Sequence, residues 1–405
     1  MGDFFQNGTI STLHQIGKVE LEALEERITR YAVWRPISLV LPSLYSELEG
    51  QALSRIVNIL IDVGYIDRIV VGLDSANQDE FKQALDFFAI LPQNTKVIWN
   101  DGPRMQGIYS KLNKEGLISV SAGKGRNVWM CLGYVLACRD TDVIALHDCD
   151  ILTYERSLLA RLVYPVVDPN MEYEYAKGYY ARVTDRLHGR VTRLFVTPLI
   201  RALKKIVGFL PYLNYLDSFR YPLAGEFAMK DGLAMVNKMP ANWGLEIGLL
   251  GEVYRNCTQR RVCQVDLSVD YEHKHQELSD GDPTKGLLKM SIDIAISLFS
   301  TLASEGVAFS DGMFRALKVT YQRIAQDAVR LYEDDADING LFFDRHSEVK
   351  AVDTFTKGLD IAGQAFLKDP LGSPFISSWA RVTAAIPSIF DEIREVVEKD
   401  NKTTS

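Results

Sequence analysis

Short apolar runs alternate with longer amphipathic stretches over the first two-thirds of the chain. Residues 36–41 contain Ile-Ser-Leu-Val-Leu and are stopped by Pro42, which gives a first strand. An amphipathic stretch at 48–63 predicts a helix, and 66–73 a strand that runs into Asp74-Ser75-Ala76-Asn77. A helix at 78–91, a strand at 95–100, a helix opened by Gly123-Lys124-Gly125 and a strand at 142–146 continue the pattern. Strands alternating with helices of this size predict βαβ units and a largely parallel sheet. Further strands are expected at 173–183 and 261–269, making the sheet mixed. Beyond Asp280 the pattern is almost wholly helical. There Phe375, Trp379, Val382, Ile386, Phe390, Ile393 and Val397 recur every three or four residues on one predicted helix, a stripe for the core or for a second subunit. The chain thus divides into an amphipathic leader (1–35), an α/β domain (36–280) and a helical C-terminal region (281–405).

Composition narrows the class. The 405 residues, 47% hydrophobic and 24% charged, suit one large globular domain with an addition. A net charge of −8 without a basic run argues against a nucleic-acid partner. No uninterrupted apolar run approaches the roughly 18 residues of a membrane span, and Met-Gly-Asp-Phe-Phe lacks the basic and apolar regions of a secretory signal. The five cysteines are odd in number and show no C-x-x-C spacing, so they read as free thiols. A cytoplasmic location is expected.

The candidate chemistry starts at residues 143–150, Val-Ile-Ala-Leu-His-Asp-Cys-Asp. Residues two apart in a strand point the same way, so Asp148 and Asp150 are expected to converge just past the strand's C-terminal end. Ligands sit at that edge in open α/β sheets. Two hard oxygen ligands there can hold Mg²⁺ or Mn²⁺ and, through it, a diphosphate. Gly123-Lys124-Gly125 adds backbone N–H groups and a point charge at a helix start. Three later blocks carry polar residues in apolar or glycine-rich settings: Tyr221-Pro222-Leu223-Ala224-Gly225-Glu226, Trp243-Gly244-Leu245-Glu246-Ile247-Gly248, and a strand end with His273 and His275.

With these blocks in order, the chain resembles nucleotide-sugar glycosyltransferases of the GT-A fold, specifically the glucosyl-3-phosphoglycerate and mannosyl-3-phosphoglycerate synthases. The resemblance spans roughly 36–276 and also rests on Leu41-Pro42-Ser43-Leu44 and Gly189-Arg190-Val191-Thr192. It implies a GT-A mixed sheet flanked by helices, and roles position by position. Pro42, Ser43, Leu44, Glu47, Asp74, Gly123, Lys124, Asp148 and Cys149 would bind the donor. Asp150 and His273 would bind the metal, with His275 as the second choice. Arg190, Thr192 and Ala224 would hold the acceptor; of the catalytic set, Glu246 would lie close to the transferred sugar and acceptor, and Leu223 and Gly225 would belong to the loop whose backbone lines the acceptor pocket. Departures from the family are Cys149 inside the D-x-D, His273-Lys274-His275-Gln276 where His-Arg-Asn is usual, and Ser46-Glu47 where Asn-Glu is common.

The expected activity is metal-dependent, retaining transfer of glucose or mannose from a nucleoside diphosphate sugar to a small anionic acceptor such as 3-phosphoglycerate, in a compatible-solute or glucosylglycerate pathway. The donor base is uracil or guanine. Without an evident carboxylate nucleophile, a front-face route is expected, in which the leaving phosphate accepts the acceptor's proton. The stripe and the resemblance together point to a homodimer. Rival readings are a transferase acting on another small molecule, a lipid or a polysaccharide, and a nucleotide-sugar-binding protein without turnover. A dinucleotide-binding enzyme is excluded because no G-x-G-x-x-G follows the first strand.

Overall fold

The apolar runs of the first half form strands whose successive residues enter two separate cores. Leu39, Leu41, Ile69 and Val71 pack on one side of the sheet, and Val40, Val70 and Ile98 on the other. Burial on both faces is why these strands read as continuous apolar runs. The computed structural model describes residues 6, 8–17, 20–118, 122–268, 278, 282–372 and 375–402. Its strands are β1 (Ser11–Leu13), β2 (Ile37–Leu44), β3 (Arg68–Asp74), β4 (Asn94–Trp99), β5 (Val143–Leu146), β6 (Tyr175–Tyr180), β7 (Phe227–Lys230) and β8 (Val262–Ser268). They form one sheet in the order β1-β8-β6-β7-β5-β2-β3-β4, a mixed α/β arrangement as expected. Strand β7 runs antiparallel to both its neighbours, and every other pairing is parallel.

Two features of this order build the site. From β2 the chain steps outward to β3 and β4, then returns to place β5 on the other side of β2. That reversal is a topological switch point, with a crevice at the strands' C-terminal ends. Because β7 is antiparallel, its first residue Phe227 stands opposite Leu146, the last residue of β5. The turn that precedes β7 therefore arrives at the same edge as the D-x-D.

Several expectations need correction. Strand β5 stops at Leu146, so a turn rather than the pleat presents Asp148 and Asp150. The leader contributes β1, which pairs with β8. The terminal stripe does not form one helix: Trp379 and Val382 lie on helix Trp379–Ala385 and Phe390, Ile393 and Val397 on helix Ile389–Lys402, separated at Pro387, with Phe375 and Ile386 outside both. Its Trp379, Val382, Ile386, Phe390, Ile393 and Val397 are buried within the chain, and Phe375 is half-buried, so the stripe serves the core. Trp379 stacks on Trp129 at 3.9 Å between ring centroids, docking these helices on helix Lys124–Cys138. Helix Gly286–Ser304 has the length and average hydropathy of a membrane-crossing helix, although Lys289 and Asp293 interrupt its apolar run. More than half of it is buried in the fold, where Ile294, Ala295, Leu298 and Phe299 pack into the core.

The last helix also covers a sheet margin. The Asn401 side chain donates to the Val97 carbonyl at 2.8 Å and accepts from the Val97 N–H at 3.0 Å, occupying ladder positions beside edge strand β4.

Candidate active site

The start of helix Lys124–Cys138 is locked onto the approach to helix Leu245–Asn256. The Gly125 N–H donates to the Ala241 carbonyl at 3.1 Å, so the two helix N-termini meet at the sheet edge. Lys124 then reaches both acids that the sequence singled out. Its Nζ lies 2.7 Å from Asp148 Oδ1 and 3.0 Å from Glu246 Oε1. Burial alone would lower the Lys124 pKa, but the two carboxylates outweigh it and hold the ammonium well above its usual range. Burial pushes the Asp148 carboxyl up to about 6; Lys124 pulls it back, while Glu226 and Asp150 add to the rise.

The turn before β7 is held from beneath by Lys177 on β6, a residue the sequence reading missed. This lysine is fully buried, and its Nζ donates to the Ala224 carbonyl. Burial lowers its pKa to about 8, opposed by the charges of Glu246 and Glu226. The signal available in the sequence was a lone lysine within Tyr-Ala-Lys-Gly-Tyr-Tyr. Leu223 and Ala224 are buried, and Glu226 accepts a hydrogen bond from Tyr180 at 2.8 Å. Gly225 lies directly against the Asp148 carboxylate: an added Cβ would stand 2.2 Å from Oδ2.

Around the ends of β2 and β3 the structure places the expected donor residues. Ser43 is buried and donates to the Leu44 carbonyl, while the Leu44 side chain is exposed. Pro42 and Glu47 are half-buried on the same segment. The Cys149 side chain packs in the core, where burial pushes its thiol well up, so only its backbone is available to the crevice. Gly123 precedes Lys124 in extended conformation. Asp74 ends β3 with its carboxyl pushed up to about 6 by burial, against the pull of Arg126 and Asn127. Its Oδ1 has no hydrogen-bond partner among the described residues, a buried acceptor left available. Arg126, which the sequence reading did not select, stacks over Tyr109 at 4.6 Å.

Of the predicted acceptor residues, Ala224 lies in the turn before β7, and Arg190 and Thr192 sit on a neighbouring segment. Gly189 has a φ of +74°, and the chain then forms a π-helical turn, Val191–Val196. Such turns are over-represented at functional sites. Arg190 Nε donates to Glu348 Oε1 at 2.6 Å. The Thr192 hydroxyl is buried without a partner among the described residues. Tyr221 connects this segment to the turn before β7, since Arg182 donates to its hydroxyl at 3.3 Å. Glu348, on helix Arg345–Lys368, was also absent from the sequence reading.

The proposed metal histidines, His273 and His275, lie outside the described residues. Among the described residues no three potential ligands cluster closely enough to form a metal site. The Asp148 setting nevertheless fits a divalent cation. Its donors are hard oxygens, and the charges of Asp150 and Glu226 add negative potential beyond that of the carboxylates Lys124 pairs with.

This mixed sheet, with its crevice at the switch point, is the GT-A arrangement, and the protein is a glycosyltransferase. A crystal structure of glucosyl-3-phosphoglycerate synthase from Mycobacterium tuberculosis in complex with Mn²⁺, uridine-diphosphate-glucose and phosphoglyceric acid has a similar fold. Its TM-score is 0.54 at 24% identity, over 74% of this chain and 89% of that one. In sequence, the chain is 48% identical to the glucosyl-3-phosphoglycerate synthase of Persephonella marina over 99% of each. It is 38% identical to that of Methanococcoides burtonii, over 99% of this chain and 98% of the relative. It belongs to the glucosyl-3-phosphoglycerate synthase family. No protein-family model matches it.

Proposed function

We propose that this enzyme transfers glucose from UDP-glucose to 3-phosphoglycerate with retention at the anomeric carbon, giving glucosyl-3-phosphoglycerate and UDP. The names of the full-length relatives support this donor sugar and acceptor over the mannosyl alternative. So does the Mycobacterium tuberculosis protein, solved with uridine-diphosphate-glucose and phosphoglyceric acid. The observation in this chain that carries the reading is Lys124 bridging Asp148 and Glu246 at the sheet edge. One positive group there links a D-x-D acid to the acid proposed at the sugar.

Asp150 and His273, with His275 as the second choice, would hold Mg²⁺ or Mn²⁺, and Asp148 would stand on the donor side; the cation, when bound, neutralises charge on the departing diphosphate. Lys124 adds a fixed positive charge to the same region. Pro42, Ser43, Leu44, Glu47 and Asp74 are proposed to receive the nucleoside, with the open Asp74 oxygen accepting a hydrogen bond from it. Arg190 and Thr192 would grip the acceptor's anionic groups, bringing its single free hydroxyl to the face of the sugar that carries the leaving group. The bond from the sugar's anomeric carbon to the phosphate oxygen breaks as the new bond to the acceptor oxygen forms, and the acceptor's proton passes to the departing phosphate. Glu246 would orient the sugar and acceptor hydroxyls, and the Leu223–Gly225 backbone would line their pocket. The reading includes a cytoplasmic location, a homodimer and a role in making a glucosylglycerate-type compatible solute.

A matrix of UDP-glucose and GDP-mannose against 3-phosphoglycerate and glycerate, with Mg²⁺ or Mn²⁺, tests it. The expected result is turnover chiefly with UDP-glucose and 3-phosphoglycerate. Faster turnover with GDP-mannose, or with glycerate, would overturn the assignment.

A further inference from the structure

We propose that Glu348, on the C-terminal helix Arg345–Lys368, is a positioning residue for the acceptor-anion site, so that the helical region takes part in acceptor recognition. The proposal rests on the reading that Arg190 binds the acceptor. Glu348 is almost fully buried and divides its two oxygens between two arginines of the π-helical segment. Oε1 accepts from Arg190 Nε at 2.6 Å, and Oε2 from Arg193 Nη2 at 3.0 Å.

The two arginines differ in what remains free. Arg193 is buried and tied to structure through Nε and Nη2, while its Nη1 is enclosed without a hydrogen-bond partner among the described residues. It donates to the carbonyls of His188 and Leu187 and lies over the Tyr332 ring at 4.7 Å. It therefore fastens the 187–190 loop to the helical region. Among the described residues Arg190 is held only through Nε, the inner nitrogen of its guanidinium, and its side chain is 37% exposed. Its outer nitrogens, which form the fork that grips phosphate or carboxylate, show no partner among the described residues. One carboxylate against two guanidiniums leaves a positive charge in excess, the sign an anionic acceptor needs. A second stitch runs parallel: the Phe342 N–H donates to the Asp185 carbonyl at 2.8 Å, and Arg186 lies over the Phe342 ring at 5.0 Å. The Arg193–Glu348 part of this triad is buried, and a buried ion pair is a poor device for stability alone, because well-packed apolar residues serve as well or better. The triad's geometry instead fixes the direction of one exposed fork.

The test is steady-state kinetics of Glu348→Gln, which keeps the shape but cannot accept from both arginines. The expected result is a rise of about tenfold in the acceptor's KM, with the donor's KM and kcat at saturating acceptor within about twofold. In an Arg190→Ala background the same change should add nothing to the acceptor's KM, because Glu348 acts through Arg190. Should Glu348→Gln fold poorly, Glu348→Asp retains the charge and is expected to give a smaller rise in the acceptor's KM. An Arg190→Ala enzyme with impaired acceptor KM beside a Glu348→Gln enzyme with normal KM would overturn the positioning role and leave the reading of Arg190 standing. A normal acceptor KM in Arg190→Ala would overturn both.

Discussion

Gly225 and Asp148 are in direct contact: the glycine's missing side chain is the space that the aspartate's carboxylate fills. The contact exists because antiparallel β7 begins where parallel β5 ends. Gly225→Ala should displace Asp148 or the turn carrying Leu223 and Ala224. The expected loss in kcat/KM is about 100-fold, as for other misplacements on the scale of 1 Å. A circular dichroism spectrum should remain that of a folded protein. An alanine variant with normal kinetics would show that the pocket yields freely.

Glu246→Gln separates a packing role from a reacting one. Lys124 would still pair with Asp148, so the melting temperature should change little. If Glu246 orients the sugar and acceptor, kcat should fall between about tenfold and a thousandfold with donor affinity nearly intact. Unchanged kcat in a folded variant would remove Glu246 from the reacting groups.

Asp150→Ala and chelation by EDTA should act alike. Each would leave the diphosphate charge uncompensated, abolishing turnover and weakening donor binding measured by calorimetry. Full turnover in EDTA would sink the metal-dependent reading.

Arg190→Ala removes the fork proposed to grip the acceptor. The acceptor's KM should rise by at least about tenfold and the donor's by much less. Equal rises would instead point to a general collapse of the crevice.

His147 gives the pH dependence its clearest sign. It is fully buried beside Tyr154, and neither ring nitrogen has a partner among the described residues. Burial lowers its pKa to about 4 from an ordinary 6.5. The unfolded chain therefore binds this proton first, so the contribution to stability is present above pH 6.5 and is lost as pH falls toward 4. The full loss, reached below pH 4, is on the order of 3 kcal/mol. Asp74 and Asp148, both raised to about 6, work in the opposite sense as pH rises from 4 to 6. His147→Phe isolates the histidine: thermal denaturation at several pH values should show less acid destabilisation than in the parent. Identical acid profiles would contradict the assignment.

What could be read from the sequence followed from the range of the interactions. Strands β2, β3 and β5 announce themselves because burial on both faces demands largely apolar runs. Asp148, Asp150 and Glu246 stand out because each interrupts such a setting. Strands β1 and β7, of three and four residues, are too short to carry a period, and they exist through pairing with β8, β5 and β6. Helix Pro103–Lys114 escaped notice because Gly107 and scattered polar residues blur its apolar face. Lys177 and Glu348 were hidden for another reason. Their partners, Ala224 and Arg190, lie 47 and 158 positions away, and no local pattern records such a meeting.

The amide of Asn401 against Val97 gives the last turn of the chain a protective duty remote from any ligand. An uncovered parallel edge is an invitation for another chain to pair with it. A protein shortened by a handful of C-terminal residues would keep every group in the crevice and still lose solubility, because its sheet would end in an open seam.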